Sequence, residues 1–234
     1  MSEKIQLHDF VEIDYTGKLT DGTVFDTTSE KVAKEQRLYS PDRTYKPAVV
    51  CVGEKQLLPG LDAQLVDKEL EKKYTVTIPT EKAFGKRDIK RVRVIPMNAF
   101  QRHNVQAQPG LQVDIDGERG VITSVSGGRV IVNFNHPLAG REVVYTFTVR
   151  RKVTDQKEKV AAFLSAILRL PSEAMKIEVK DTAATVTLPG ELPAQISAIL
   201  AQKLAQLTGL KDILFKKEEK QETEKELKQK SPEQ

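Results

Sequence analysis

Residues 15–28, YTGKLTDGTVFDTT, set an aromatic ring directly before a carboxylate, Phe25 then Asp26. A ring can dry a cleft, and a carboxylate can hold or polarise a polar group inside it. Asp21 with Gly22 is a hairpin-type pair, and residues 23–26 read as the strand that follows. Side chains alternate along a strand, so Phe25 and Asp26 should point to opposite faces. Two readings follow. Either Asp26 caps the turn at residues 27–29, or both residues border a cleft at a strand end. The residues alone favour the cap, because aspartate is a common turn residue.

Other chemistry is sparse. Cys51 is the single cysteine, set in the apolar run AVVCVG, and reads as a small core residue in a reducing compartment. His8, His103 and His136 are scattered, with no metal-ligand spacing. No metal or cofactor is expected. The N-terminal MSEKIQLHDF has no apolar signal region, and no stretch approaches the roughly 18 apolar residues of a membrane span. The expectation is a cytoplasmic protein without membrane contact. The net charge of +4 is unevenly spread. Residues 1–85 carry 12 basic and 15 acidic side chains, and residues 86–133 carry 8 and 4. Lys86, Arg87, Lys90, Arg91 and Arg93 suit an anionic partner such as nucleic acid. No aromatic stacking residues are interleaved with them, so nucleic acid stays a lesser alternative.

The positioning elements are legible from periodicity. FVEIDYTG alternates, with Val11, Ile13 and Tyr15 on one side and Glu12 and Asp14 on the other. AVVCVG is a second, more buried strand. In LLPGLDAQLVDKEL, Leu57, Leu58, Leu61 and Leu65 form a helical stripe, and Pro59 suits a helix start. KYTVTIP, with Tyr74, Val76 and Ile78 inward, and VVYTFTVRRKV supply two more strands.

Residues 87–133 have another texture. GLQVDIDG alternates, and GVITSVSGGRVIVNFN reads as a hairpin turning at Gly127 and Gly128. This is a small β module inserted in the first unit, too small for a thick core. Residues 154–216 read as α-β-β-α-β, with Gly209 as a helix stop. Two helices on three strands leave a sheet face or an edge open, which predicts a twofold homodimer through this unit. Packing back onto the first unit is the alternative. Residues 217–234 read as a charged, solvated tail.

In order, YTGKLTDGTVFD, VGEKQLLPGLDAQL, EKAFG and YTFTV resemble an FKBP-type peptidyl-prolyl cis-trans isomerase. NHPLAG, after a β insertion at the flap, is similar to the SlyD-type branch, and the added C-terminal unit to the long archaeal type. The fold implied is α+β: an antiparallel sheet with one short helix over residues 1–86 and 134–153, an insert-in-flap module over residues 87–133, and the C-terminal unit. The resemblance turns the opening choice toward the cleft. It implies a proline pocket of Tyr15, Phe25, Asp26, Leu57, Leu58, Leu61, Phe84 and Tyr145. Leu61 and Ala48 stand where aromatics are common in the family, and Phe84 replaces the tyrosine of AYG. These departures imply weak binding of the family's macrolide inhibitors.

The expected function is X–Pro isomerisation combined with a folding chaperone. Its partners are unfolded chains containing X–Pro bonds. Within VIPMNAF, Val94, Ile95, Met97 and Phe100 are expected to hold such chains, since methionine and aromatics adapt to varied partners. The alternative is that they fill the insert's own core. A non-catalytic holdase is the other functional alternative.

Overall fold

The computed structural model describes residues 4–218. The first sheet is built on β1 (Phe10–Leu19), whose alternation buries Val11 and Ile13. A loop at Asp21 and Gly22 leads into β2 (Val24–Thr27). The Asp21 carboxylate accepts the Thr23 N–H at 2.9 Å, and Gly22 takes φ 92°. Ser29 caps α1 (Glu30–Glu35), a six-residue helix that sequence periodicity misses because it is under two turns long. Then come β3 (Ala48–Cys51) and α2 (Pro59–Asp62). Helix α2 is a single turn started by Pro59; residues beyond it run on as turns, so the leucine stripe is shorter than expected.

β4 (Lys73–Ile78) follows. The chain then passes through an inserted module made of β5 (Val92–Pro96), α3 (Met97–Arg102), β6 (Gln112–Ile115), β7 (Glu118–Ser126) and β8 (Arg129–Asn133). β9 (Val143–Lys152) returns to the first sheet between β1 and β4. The sheet order is β2-β1-β9-β4, and β3 pairs with the N-terminal half of β1. All these pairs are antiparallel.

The insert is a separate four-stranded sheet in the order β5-β8-β7-β6. Its hairpin turns at Gly127 and Gly128, both at positive φ, the backbone that the two-residue turn requires. Its core is Phe100, Ile122, Val130, Val132 and Phe134. Asp88 and Asn135 tie its two ends together: the Asp88 N–H donates to Asn135 at 2.8 Å, and Asn135 donates back at 2.9 Å.

The C-terminal unit runs α4 (Gln156–Leu168), β10 (Lys176–Lys180), β11 (Ala183–Leu188), α5 (Ala194–Thr208) and β12 (Asp212–Lys217). Gly209 ends α5 in the left-handed region. The unit packs back onto the first sheet. One core joins Phe10, Cys51 and Val153 to Val160, Phe163, Leu164 and the inner faces of β10, β11 and α5. Lys203 on α5 reaches Glu54 at 2.8 Å.

The outer sheet face carries Lys176, Glu178, Lys180, Thr185, Thr187 and Lys216, with Leu214 as its exposed apolar member. The outer sheet face is therefore mostly polar, and the open surfaces that remain for the expected twofold partner are the edge strands β10 and β12. Exposed apolar side chains sit instead on α5, at Ile196 and Ile199. Of the expected tail, all but Lys217 and Glu218 lies outside the described residues. Among the described residues no helix is long and apolar enough to cross a membrane.

Candidate functional site

Strands β1 and β2 do not pair evenly. Gly17 faces Asp26 and Lys18 faces Val24, so Phe25 is an extra residue on its strand. This bulge breaks the two-residue alternation. Phe25 and Asp26 therefore line the same cavity instead of opposite faces. The turn after them has its own caps: Thr27 accepts the Ser29 N–H, and Ser29 accepts the Val32 N–H.

The cavity holds about 570 Å³. Tyr15, Phe25, Asp26, Leu57, Leu58, Leu61, Phe84 and Tyr145 all line it, from β1, β2, α2 and its approach, the turn after β4, and β9. Phe25 is the hub. Its ring meets Phe84 and Tyr145 edge-on, with centroids 5.6 and 5.8 Å apart. Tyr15 tilts against Tyr145 at 5.8 Å. Leu61 is fully buried and floors the cavity. Gly17 makes this close packing possible: a Cβ there would lie 2.8 Å from the Tyr145 ring and 2.9 Å from the Phe25 ring.

Electrostatics single out Asp26. Arg43 donates to it in a short ion pair and also lies 5.4 Å over the Tyr45 ring. Burial, and then the charge and hydrogen bonding of Asp26, push the Tyr15 hydroxyl up to about 12. Burial, followed by the same carboxylate, raises Tyr145 as well. Both phenols thus stay neutral donors at ordinary pH. The segment leading to Leu58 is held from below by buried Asp62, which accepts the Gly53 and Lys55 N–H groups at 2.9 and 3.2 Å. Leu58 is extended at φ −54°, ψ 135°, and its own N–H has no acceptor among the described residues.

Five further residues line the cavity that sequence reasoning missed: Arg43, Gln56, Pro59, His136 and Leu138. His136 and Leu138 lie in NHPLAG, where the motif itself was the available signal. The His136 ring stacks on Phe84 at 4.5 Å and 4°. Arg43 comes from an irregular loop with no pattern to mark it.

The insert residues divide by exposure. Val94 is 60% exposed, Ile95 and Met97 are half-buried, and Phe100 is in the module's core. VIPMNAF joins two elements: residues 92–96 form a strand and residues 97–102 a helix. A strand-to-helix switch within seven residues hides both periods from a sequence reading. In the basic cluster, Arg91 and Arg93 both bind Glu118, at 2.8 and 2.7 Å, and Lys86 binds Glu81 at 3.1 Å.

Residues 1–106 match the family model described as FKBP-type peptidyl-prolyl cis-trans isomerase. A relative described as a short-type peptidyl-prolyl cis-trans isomerase from Methanocaldococcus jannaschii is 37% identical over 150 residues, which is 64% of this chain and 95% of the relative. The chain belongs to the FKBP-type peptidyl-prolyl cis-trans isomerases. Within this FKBP-type chain, residues 93–138 match the model described as the FKBP26 IF domain, a span shifted by a few residues from the expected 87–133. A probable FKBP-type 16 kDa isomerase of Pseudomonas fluorescens is 30% identical over 140 residues, 58% of this chain and 83% of the relative. A SlyD isomerase of Vibrio cholerae is 34% identical over 101 residues, 42% of this chain and 50% of the relative.

Proposed function

We propose that the chain isomerises X–Pro bonds in the cavity around Phe25 and Asp26 and holds unfolded polypeptides through its inserted module. The working division is an isomerase unit of residues 1–86 and 134–153, the insert of residues 87–133, and the C-terminal unit from residue 154. The observation that carries the catalytic reading is the bulge at Phe25, which turns an aromatic ring and a carboxylate into one small cleft.

Rotation about an X–Pro bond meets a barrier of about 18–20 kcal/mol. The planar amide is stabilised by charge separation, and water supports that separation. The twisted transition state has less of it. A pocket walled by Phe25, Leu57, Leu58, Leu61, Phe84 and Tyr145 withholds that water, which disfavours the planar state more than the twisted one. This is differential binding of the transition state, with no nucleophile and no proton transfer. The free N–H of Leu58 takes a substrate carbonyl. Asp26, fixed by Arg43, orients the Tyr15 hydroxyl and sets the field around the rotating amide. It acts by position rather than as a base.

The holding role rests on surface. Val94 is exposed, and Ile95 and Met97 lie half-covered beside it on the module's first strand and helix. Phe100 is buried in the module's core beneath Ile95 and Met97 and supports that surface from inside.

A protease-coupled assay on an X–Pro tetrapeptide tests the pocket. Phe25→Ala removes the hub ring and lowers kcat/KM at least ten-fold. A folded variant with full activity overturns the assignment. A native chain with no tetrapeptide activity that still suppresses aggregation would be a holdase alone.

A further inference from the structure

Beside the proline cavity lies a second one of about 640 Å³, between β3 and α4. The two share Tyr15, Gln56 and Leu57 in their walls, so they adjoin along those residues. One wall is β3 with Pro47 before it. The other is the face of α4 that carries Ala162, Ser165 and Ala166. That face presents small side chains to the cavity.

β3 is a sheet edge, since it pairs with β1 alone. The Val52 N–H points to β1, donating to Asp9 at 2.9 Å. The Cys51 N–H points away and is taken by the Gln56 side-chain carbonyl at 2.7 Å. By the two-residue period of an antiparallel pair, Val49 also turns its N–H and C=O away from β1. Neither group has a partner among the described residues. Gln56 adds another unspent group: its Nε2 is buried and has no acceptor. A buried donor left unpaired is destabilising, so an occupant that accepts from it recovers that cost.

We propose that this groove binds the extended main chain of the polypeptide on one side of the X–Pro bond, as a strand added to the free edge of β3. The inference rests on the cavity around Phe25 being the proline site. The occupant follows from the groups on offer. One amide N–H and one C=O on an edge strand, with a side-chain amide at the junction, read backbone rather than sequence. A small-residue wall admits varied side chains. The C-terminal unit thereby becomes part of the substrate site.

The test compares kcat/KM for an Ala–Pro tetrapeptide and for a dodecapeptide with a central Ala–Pro, using the full chain. The dodecapeptide is expected to be the better substrate by about five-fold, the value of one additional main-chain hydrogen bond. Ala162→Phe and Ala166→Phe fill the groove and bring that ratio close to one. Phe25→Ala lowers both values and leaves the ratio standing. A native ratio of one, or a ratio untouched by both groove variants, overturns the groove. Full tetrapeptide activity in Phe25→Ala overturns the pocket instead. If Ala162→Phe fails to fold, Ala166→Phe, at the exposed end of the wall, reads the same ratio.

Discussion

Gly17 lies so close to Tyr145 that a methyl group on its Cα would stand 2.8 Å from the ring. The two residues face each other directly across β1 and β9. The missing side chain lets Tyr145 and Phe25 meet edge-on at the cavity wall. Gly17→Ala is expected to displace both rings, lowering tetrapeptide kcat/KM about ten-fold and costing about 1–3 kcal/mol of stability through overpacking. Native kcat/KM in this variant would show that the two rings do not shape the reacting site.

Asp26 separates position from capping, because Thr27 and Ser29 already cap the turn. Asp26→Leu leaves those caps intact and strands the Arg43 charge. The expected result is a fall of about ten-fold in kcat/KM, the size of one charge-assisted hydrogen bond. Unfolding by urea on the same preparation supplies the control. A loss of stability with unchanged activity per folded molecule would make Asp26 structural.

The insert can be removed without touching the cavity. Replacing residues 92–134 by a short Gly-rich link keeps Asp88 facing Asn135 and Phe84 stacked on His136. Tetrapeptide isomerisation should stay within about two-fold. Catalysed refolding of a proline-limited protein should fall at least ten-fold, because the client is no longer retained near the site. Equal losses in the two assays would end the idea of a separate holding surface.

Phe163 on α4 is buried in the core that also contains Phe10, Cys51 and Val153 of the first sheet. Phe163→Ala should cost about 3–5 kcal/mol. The loss should appear in the unfolding of the first sheet as well, since the two units share that core. Followed by hydrogen exchange, amides of β1 and β3 should lose protection together with those of α4. Unchanged protection in β1 and β3 would mean that the units are stabilised separately.

Three groups set the alkaline limit. Tyr15 and the Cys51 thiol are each raised to about 12 from ordinary values of 10.0 and 9.0. A group raised in the folded state stabilises it fully below its unfolded value and loses that contribution as pH climbs to the folded one. Stability should therefore hold up to about pH 9 and decline from there toward pH 12. Tyr145, raised further, extends the decline upward. Tyr15→Phe should flatten the part above pH 10, and Cys51→Ala the part just above pH 9. Thermal melts at stepped pH read both.

The sequence by itself determined the strands other than β5, the Gly127 and Gly128 turn and the α-β-β-α-β order from local periods and turn residues, while its resemblance to the family pointed to the eight cavity residues. It missed α1, β5 and α3, since elements of five or six residues complete too little of a period to register. Tertiary structure alone supplied the bulge that lets Phe25 and Asp26 share one cavity. Alternation sends them apart, and only the offset pairing of Gly17 with Asp26 and Lys18 with Val24 reunites them. Arg43 reaches Asp26 from an unpatterned loop 17 residues along the chain. The C-terminal unit packs its inner side on Phe10, Cys51 and Val153 of the first sheet, a contact its sequence offered only as the alternative to a twofold partner. A hydrophobic stripe specifies that burial occurs, while the surface that supplies it depends on how distant segments of the chain meet.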